Sequence, residues 1–229
     1  MNTNTKLTLT AASLLMTSIA CHAAALVEYD WSGTSSLVDP TGATAGNWQT
    51  LFGGISGGSR TYYNTPLNDT KTDFGTFTVT ADAGNLLNLD SFTFDYATYS
   101  FTVSSASFVL DVSVNGTPVY TSGDVAGFAG GYTDFLTTLD LSSTGSFGNT
   151  FQGLSAATVT FAVTSTNTEG INNPFRLITS SSTGEAAGTW PDKTNMLLQG
   201  TVIPEPSTLG LAALSGLGLI AIRRRKFML

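Results

Sequence analysis

Residues 108–120 read Phe-Val-Leu-Asp-Val-Ser-Val-Asn-Gly-Thr-Pro-Val-Tyr. Phe108, Leu110, Val112 and Val114 alternate with Val109, Asp111 and Ser113. A period of two puts the first set on one face of an extended strand and the second set on the other. Asn115-Gly116 follows at once, the dipeptide that best tolerates the two positive φ angles of a type I′ hairpin turn. Pro118 removes an amide donor from the returning chain. That strand therefore starts at Val119 or lies at a sheet edge.

The same pattern extends in both directions. Phe92, Phe94 and Tyr96 alternate with Thr93 and Asp95, and Val159, Phe161 and Val163 alternate with Thr160 and Ala162. Further strands are expected over 27–30, 74–80, 135–141, 175–179 and 196–202. Glycine pairs such as Gly53-Gly54, Gly57-Gly58 and Gly130-Gly131 punctuate them. Nine or ten short strands with glycine-rich turns and no convincing amphipathic helix predict an all-β antiparallel β-sandwich over residues 26–203.

Composition agrees. The chain has 229 residues, of which 37 are Thr and 24 are Ser, and Gly numbers 24. These are poor helix formers. An apolar content of 41% with 10% aromatic residues suffices to bury a core, which argues against disorder. Lys and Arg total 9 against 16 Asp and Glu. That is too few cations for a nucleic-acid binder, whose affinity rests on neutralised phosphates. Within 26–203 four basic residues face fifteen acidic ones, a difference of −11. Such a surface keeps a protein soluble and repels nucleic acid.

Both ends depart from this pattern. Lys6 precedes an apolar run over 7–20, which ends in Cys21-His22-Ala23-Ala24-Ala25. Small residues at alternate positions suit signal peptidase, so residues 1–25 read as a signal peptide, helical while in the membrane and cut after Ala23 or Ala25. Cys21 as a lipid acceptor fits less well, because Ser18-Ile19-Ala20 lacks the usual aliphatic residue three places upstream. At the other end, Pro204-Glu205-Pro206 precedes an apolar run over 209–222, and Arg223, Arg224, Arg225 and Lys226 follow it. The rigid Pro-x-Pro break, the short apolar helix and the basic stop favour a segment whose cations stay cytoplasmic. A helix over 207–222 would be about 24 Å long, short of the roughly 30 Å hydrocarbon core. Snorkelling cations can close that gap.

In this order of parts, residues 204–229 closely resemble the PEP-CTERM sorting signal. The resemblance covers only that terminal stretch. It implies processing by an exosortase, a membrane-embedded cysteine transpeptidase of Gram-negative bacteria that make exopolysaccharide. The chain would be held transiently in the inner membrane and then delivered to the cell surface or extracellular matrix. The order of blocks in the body is also similar, generically, to jelly-roll carbohydrate-binding-module type domains. The blocks are an alternating Phe strand, the Asn-Gly hairpin, and a last apolar strand running into Pro-Glu-Pro.

Removing the signal peptide removes Cys21 and His22, the only Cys and His of the chain. A Ser-His-Asp triad, a Cys nucleophile and His/Cys zinc sites leave with them. Carboxylates remain, and Glu28, Asp30, Asp95, Asp111, Glu169 and Glu185 are the candidates for a glycosidase pair. Lys71 or Lys193 could serve a Ser-Lys dyad, but no Ser-x-x-Lys spacing supports one. The body is therefore expected to be non-enzymatic and without a cofactor, a structural Ca²⁺ excepted. Asp69 and Asp73, next to Asn68, and Asp82 supply the hard oxygens such an ion takes. They serve equally as solvated turns with Asx caps. Trp31, Trp48, Tyr62, Tyr63 and Trp190 fall outside the clean alternation. Clustered on one face they would stack on sugars of a polysaccharide; scattered, they cover the ends of the core.

Overall fold

The computed structural model describes residues 23–29, 41–51, 54–56, 59–62, 71–100, 107–126, 131–165, 175–178 and 194–205. The strands are β1 (Ala24–Tyr29), β2 (Ala43–Ala45), β3 (Gln49–Thr50), β4 (Gly54–Ser56), β5 (Ser59–Tyr62), β6 (Thr72–Ala81), β7 (Asn85–Ser100), β8 (Ser107–Val114), β9 (Thr117–Thr121), β10 (Val125–Ala126), β11 (Gly131–Asp140), β12 (Ala156–Ser165), β13 (Phe175–Ile178) and β14 (Met196–Pro204). A 3-10 turn at Gly148–Phe151 is the helical element among the described residues. None of the described helices is long and apolar enough to cross a membrane. The predicted signal helix and the predicted helix over 207–222 lie outside the described residues.

All pairings are antiparallel and form two sheets. In the first sheet β7 is the spine. β11 runs along one of its edges, while β14 and β13 share the other. β1 lies outside β14, and β5 and β4 lie outside β13. The second sheet runs β8, β12, β6, with β9 and β10 on the free edge of β8 and β2 and β3 on that of β6.

The inner faces carry the residues that alternation selects. Phe92, Phe94 and Tyr96 of β7 face Phe77 of β6 and Phe161 of β12, all essentially without exposure. Ring centroids across the gap lie 6.0 Å apart for Phe77–Phe92 and 5.3 Å for Phe94–Phe161. Such edge and tilted contacts add to the burial term that dominates the fold. The polar strand faces pair as well, through Thr78–Thr158 at 2.9 Å and Thr93–Thr138 at 3.1 Å, cross-strand pairs that fix register.

Besides one in the β8–β9 ladder, three bulges break the alternation. Leu26 of β1, Phe74 of β6 and Asp90 of β7 each stand as an extra residue opposite their partner strand. A bulge shifts the side-chain phase by one. That is why Leu87 and Leu89 share the core with Phe92 and Phe94. It is also why β7 begins at Asn85, well before the alternating Phe92–Tyr96 block.

The hairpin forms as expected. Asn115 and Gly116 have φ of +50° and +77°. The Asn115 side chain also reaches β12: its Nδ2 donates to Ala156 O at 3.0 Å, and its Oδ1 accepts from Thr158 N at 2.8 Å. The return strand starts at Thr117, two residues before Val119, and occupies an edge of β8. Pro118 fits because a bulge at Val112/Ser113 interrupts the ladder beside it. Asn115→Ala strains the left-handed backbone and removes both bonds. A loss of about 2 kcal/mol is expected in chemical denaturation, and Asn115→Gly should lose only about half of that.

Candidate functional site

The conspicuous sequence motif begins where the sheet ends. β14 pairs with β1 through Gly200 and with β7 through Pro204, which lies opposite Asn85. Glu205 then donates its backbone N–H to Gly84 O at 2.8 Å. Gly84, at φ +82°, is the tip of the turn between β6 and β7, and Asn85 N closes that turn on Asp82 O at 3.0 Å. A second loop holds this turn from the side. Asp82 N donates to Gly42 O at 2.9 Å, Asn85 Nδ2 reaches the same carbonyl at 3.4 Å, and Thr44 Oγ1 donates to Asp82 Oδ1 at 3.2 Å. Gly42 sits at φ +91°, and a Cβ there would stand 3.0 Å from Asn85 Nδ2 and 3.1 Å from Val202 Cγ1. The chain thus leaves the body through a hydrogen-bonded collar, with Pro204 and Glu205 themselves exposed.

The other end of the body starts beside it. Ala24 pairs with Gly200 and Ala25 with Gln199. Because β1 and β14 are antiparallel, the chain before Ala24 and the chain after Glu205 leave by the same pole. Ala24 lies roughly 16 Å back along the strand from Glu205, five residues at about 3.3 Å each. Ser100, Ser107 and Ser165, the far ends of β7, β8 and β12, lie at the opposite pole.

The other sequence candidates distribute as follows. Trp48 is 7% exposed and packs on Phe74 and Phe161, with ring centroids at 6.0 and 5.6 Å. It is part of the core. Tyr62 belongs to β5, paired to Phe175. Trp31, Tyr63 and Trp190 lie outside the described residues, as do Asp69, Pro206 and the basic stop Arg223–Lys226. Asp73 is exposed on β6, and Asp82 is exposed in the collar. Among the described residues no three His, Cys, Asp or Glu side chains converge as a metal site.

Of the carboxylates, Glu28 accepts from Asn195 Nδ2 at 2.6 Å and Asp111 pairs with Lys71 at 3.0 Å on the other sheet. Asp95 is 1% exposed, on the face of β7 opposite Tyr96. Asp30, Glu169 and Glu185, like Lys193, lie outside the described residues. The two carboxylates that act on each other, Asp90 and Asp140, were not among the sequence candidates. Asp90 is raised above the ordinary carboxylate range by burial and, second, by the charge of Asp140. Asp140 is held low by the Ser142 hydroxyl and backbone amide, whose bonds to Oδ1 measure 2.6 and 2.9 Å. Asp90 is the bulge residue of β7, and its approach to Asp140 comes from the pairing of β11 with β7, which no local pattern marks. The collar was equally hidden, although Asp82 was expected in a turn.

Comparison with known proteins bears on the end of the chain. Residues 202–226 match the PEP-CTERM protein-sorting motif. The motif indicates exosortase-dependent sorting of an exported protein. No curated protein matches the chain. Among solved structures, that of the infectious bursal disease virus Gt strain aligns at 11% identity and a TM-score of 0.32, over 86% of this chain and 54% of that one. The carbohydrate-binding domain CBM35 from Paenibacillus barcinonensis aligns at 19% identity and a TM-score of 0.25, over 61% and 94%. The VP2 subviral particle of the same virus aligns at 14% and 0.23, over 73% and 49%. This chain spans about half the length of the viral chains it matches. Likeness of this degree is weak and assigns no ligand.

Proposed function

We propose that this chain is a non-enzymatic, exported β-sandwich of jelly-roll type, sorted by an exosortase to the cell surface or extracellular matrix of a Gram-negative bacterium, where it associates with exopolysaccharide. The observation that carries the proposal is the sorting motif at 202–226, which starts where an antiparallel two-sheet body ends. The apolar run over 209–222 would hold the chain in the inner membrane until it is cut. The non-enzymatic reading draws on the sequence: the only His and Cys lie in the segment that signal peptidase would remove. The net acidic body is compatible with cation-bridged contact to an anionic polysaccharide. A carbohydrate-binding role would add a specific sugar to the same placement, and a glycan array separates the two.

Replacing Pro204 and Pro206 together by Ala tests the sorting. The expected result is full-length protein retained in the inner membrane fraction and at least a tenfold loss from the surface. Unchanged surface delivery would end the proposal.

The register of β1 supports one of the two expected signal-peptidase sites over the other. Cleavage after Ala25 would remove the Ala24–Gly200 and Ala25–Gln199 pairs and put a charged α-amine on Leu26, whose side chain is wholly buried. Burying or crowding an unpaired charge is costly. Cleavage after Ala23 leaves β1 whole. N-terminal sequencing of the secreted protein is expected to begin at Ala24; a start at Leu26 contradicts this.

A further inference from the structure

We infer that the exosortase cuts C-terminal to Glu205, flush with a body that is already folded, so that β14 and the first two residues of Pro-Glu-Pro stay in the mature protein. This rests on the sorting proposal and adds where, and on what, the enzyme acts.

Proteolytic enzymes bind an extended stretch of chain whose backbone groups are free, and in folded proteins they act on exposed, unpaired segments. β14 offers no such stretch. From Leu197 to Gly200 it is paired on both edges, to β1 and to β7. From Thr201 to Pro204 it remains paired to β7. The Glu205 amide is bonded to Gly84 O. Cutting upstream of Pro204 would require β14 to be peeled from β7, and at Gly200 and before it from the middle of the sheet. That would uncover Leu87 and Leu89, which have no exposure, and Leu198 beside them. Openings of that size are the rare, near-global ones. The first peptide bond beyond the collar joins Glu205 to Pro206, and the bonds before it, back to Met196, lie in the paired strand.

Folding and sorting are thereby ordered. β14 is the last strand in the chain, and it joins β1, the first, to the spine β7. The first sheet closes only after everything through Glu205 has crossed the membrane. The enzyme then meets a finished body. The acyl carbon at the cut passes from its peptide nitrogen to the enzyme thiolate. That nitrogen leaves with a proton as the new N-terminus of the apolar peptide. An amine, a hydroxyl or water then displaces the thiolate and gives up a proton. Any acceptor joined in this way is attached at the pole that also carries Ala24. The far pole, with Ser100, Ser107 and Ser165, points away from the attachment.

The full chain, expressed in a bacterium that carries an exosortase, provides the test. Trypsin cleaves after Lys193, so the terminal peptide of the mature protein starts at Thr194. Tandem mass spectrometry reads where it ends, with or without an adduct. Fragment ions that run unmodified through Glu205 are expected. A terminus at Pro204 or earlier overturns the inference and leaves the sorting proposal standing. A chain still carrying residues through Arg223 shows that no cut occurs and overturns both.

Discussion

Gly75→Ala is expected to destabilise the protein by about 3 to 4 kcal/mol, as much as removing a large core aromatic. Gly75 lies on β6 directly opposite Phe161 of β12. The Trp48 indole covers it. A Cβ built there would fall inside the ring, on Cζ2 and 2.6 Å from Cε2. Trp48 cannot slide aside, because Phe74, Phe77 and Phe161 surround it and Tyr29 meets its edge at 6.4 Å. Close-packed interiors transmit such an overlap rather than absorb it. The obstacle is a side chain, however, so it can be deleted. Trp48→Leu costs stability alone but makes room for the new methyl. In a double-mutant cycle by urea denaturation, Gly75→Ala should cost at least about 2 kcal/mol less in the Trp48→Leu background than in the native one. Additive costs would mean that the indole does not rest on Gly75.

The same pair shows what the sequence could and could not reveal. Trp48 stands in a glycine-rich, polar stretch with no strand alternation around it. That setting puts it outside the clean alternation and does not tell a ring that covers the core from one that stacks on a sugar. Its burial comes from β6, some 27 residues later, where a glycine replaces the residue that would otherwise fill the site. Non-local complementarity of this kind has no local signature. The alternating blocks, by contrast, were legible because each reports on its own two faces. The strands at 74–80, 92–96, 108–114, 159–163 and 196–202 appear as β6, part of β7, β8, β12 and β14.

The bulges fall between these cases. Phe74 and Phe77 are three apart in one strand, and Leu89 and Phe92 likewise. A spacing of three between two buried positions violates a period of two unless one residue is extra. That signal was present in the sequence and is specific to strands whose neighbours are already known to be extended. The sorting motif was legible for a different reason. It is recognised as a linear string by another protein, so its parts must lie in sequence order. What the string alone could not convey is that its first half, Pro204 and Glu205, is held by the fold.

Gly200→Val should lower the melting temperature by about 6 to 12 °C, the equivalent of roughly 3 kcal/mol for a body of this size. Gly200 lies at the point where β14 passes two bulges, Leu26 on one side and Asp90 on the other. A Cβ there would meet the backbone oxygen of Asn88 and, at 2.8 Å, Leu26 Cδ1. Truncating Leu26 removes the second obstacle only. The Asn88 carbonyl belongs to β7, and the Asn88 side chain is itself held, accepting from Gly153 N at 2.8 Å. Leu26→Ala is therefore expected not to rescue Gly200→Val, in contrast to the rescue at Gly75. The valine must push β14 away from the spine, and the strand it displaces is the one that anchors the sorting end. In the exported protein the displaced strand should admit cuts upstream of Glu205, so the Thr194 peptide should end at several positions instead of one. A native melting temperature, or a clean rescue by Leu26→Ala, would show that β14 does not pass Asn88 as closely as its register requires.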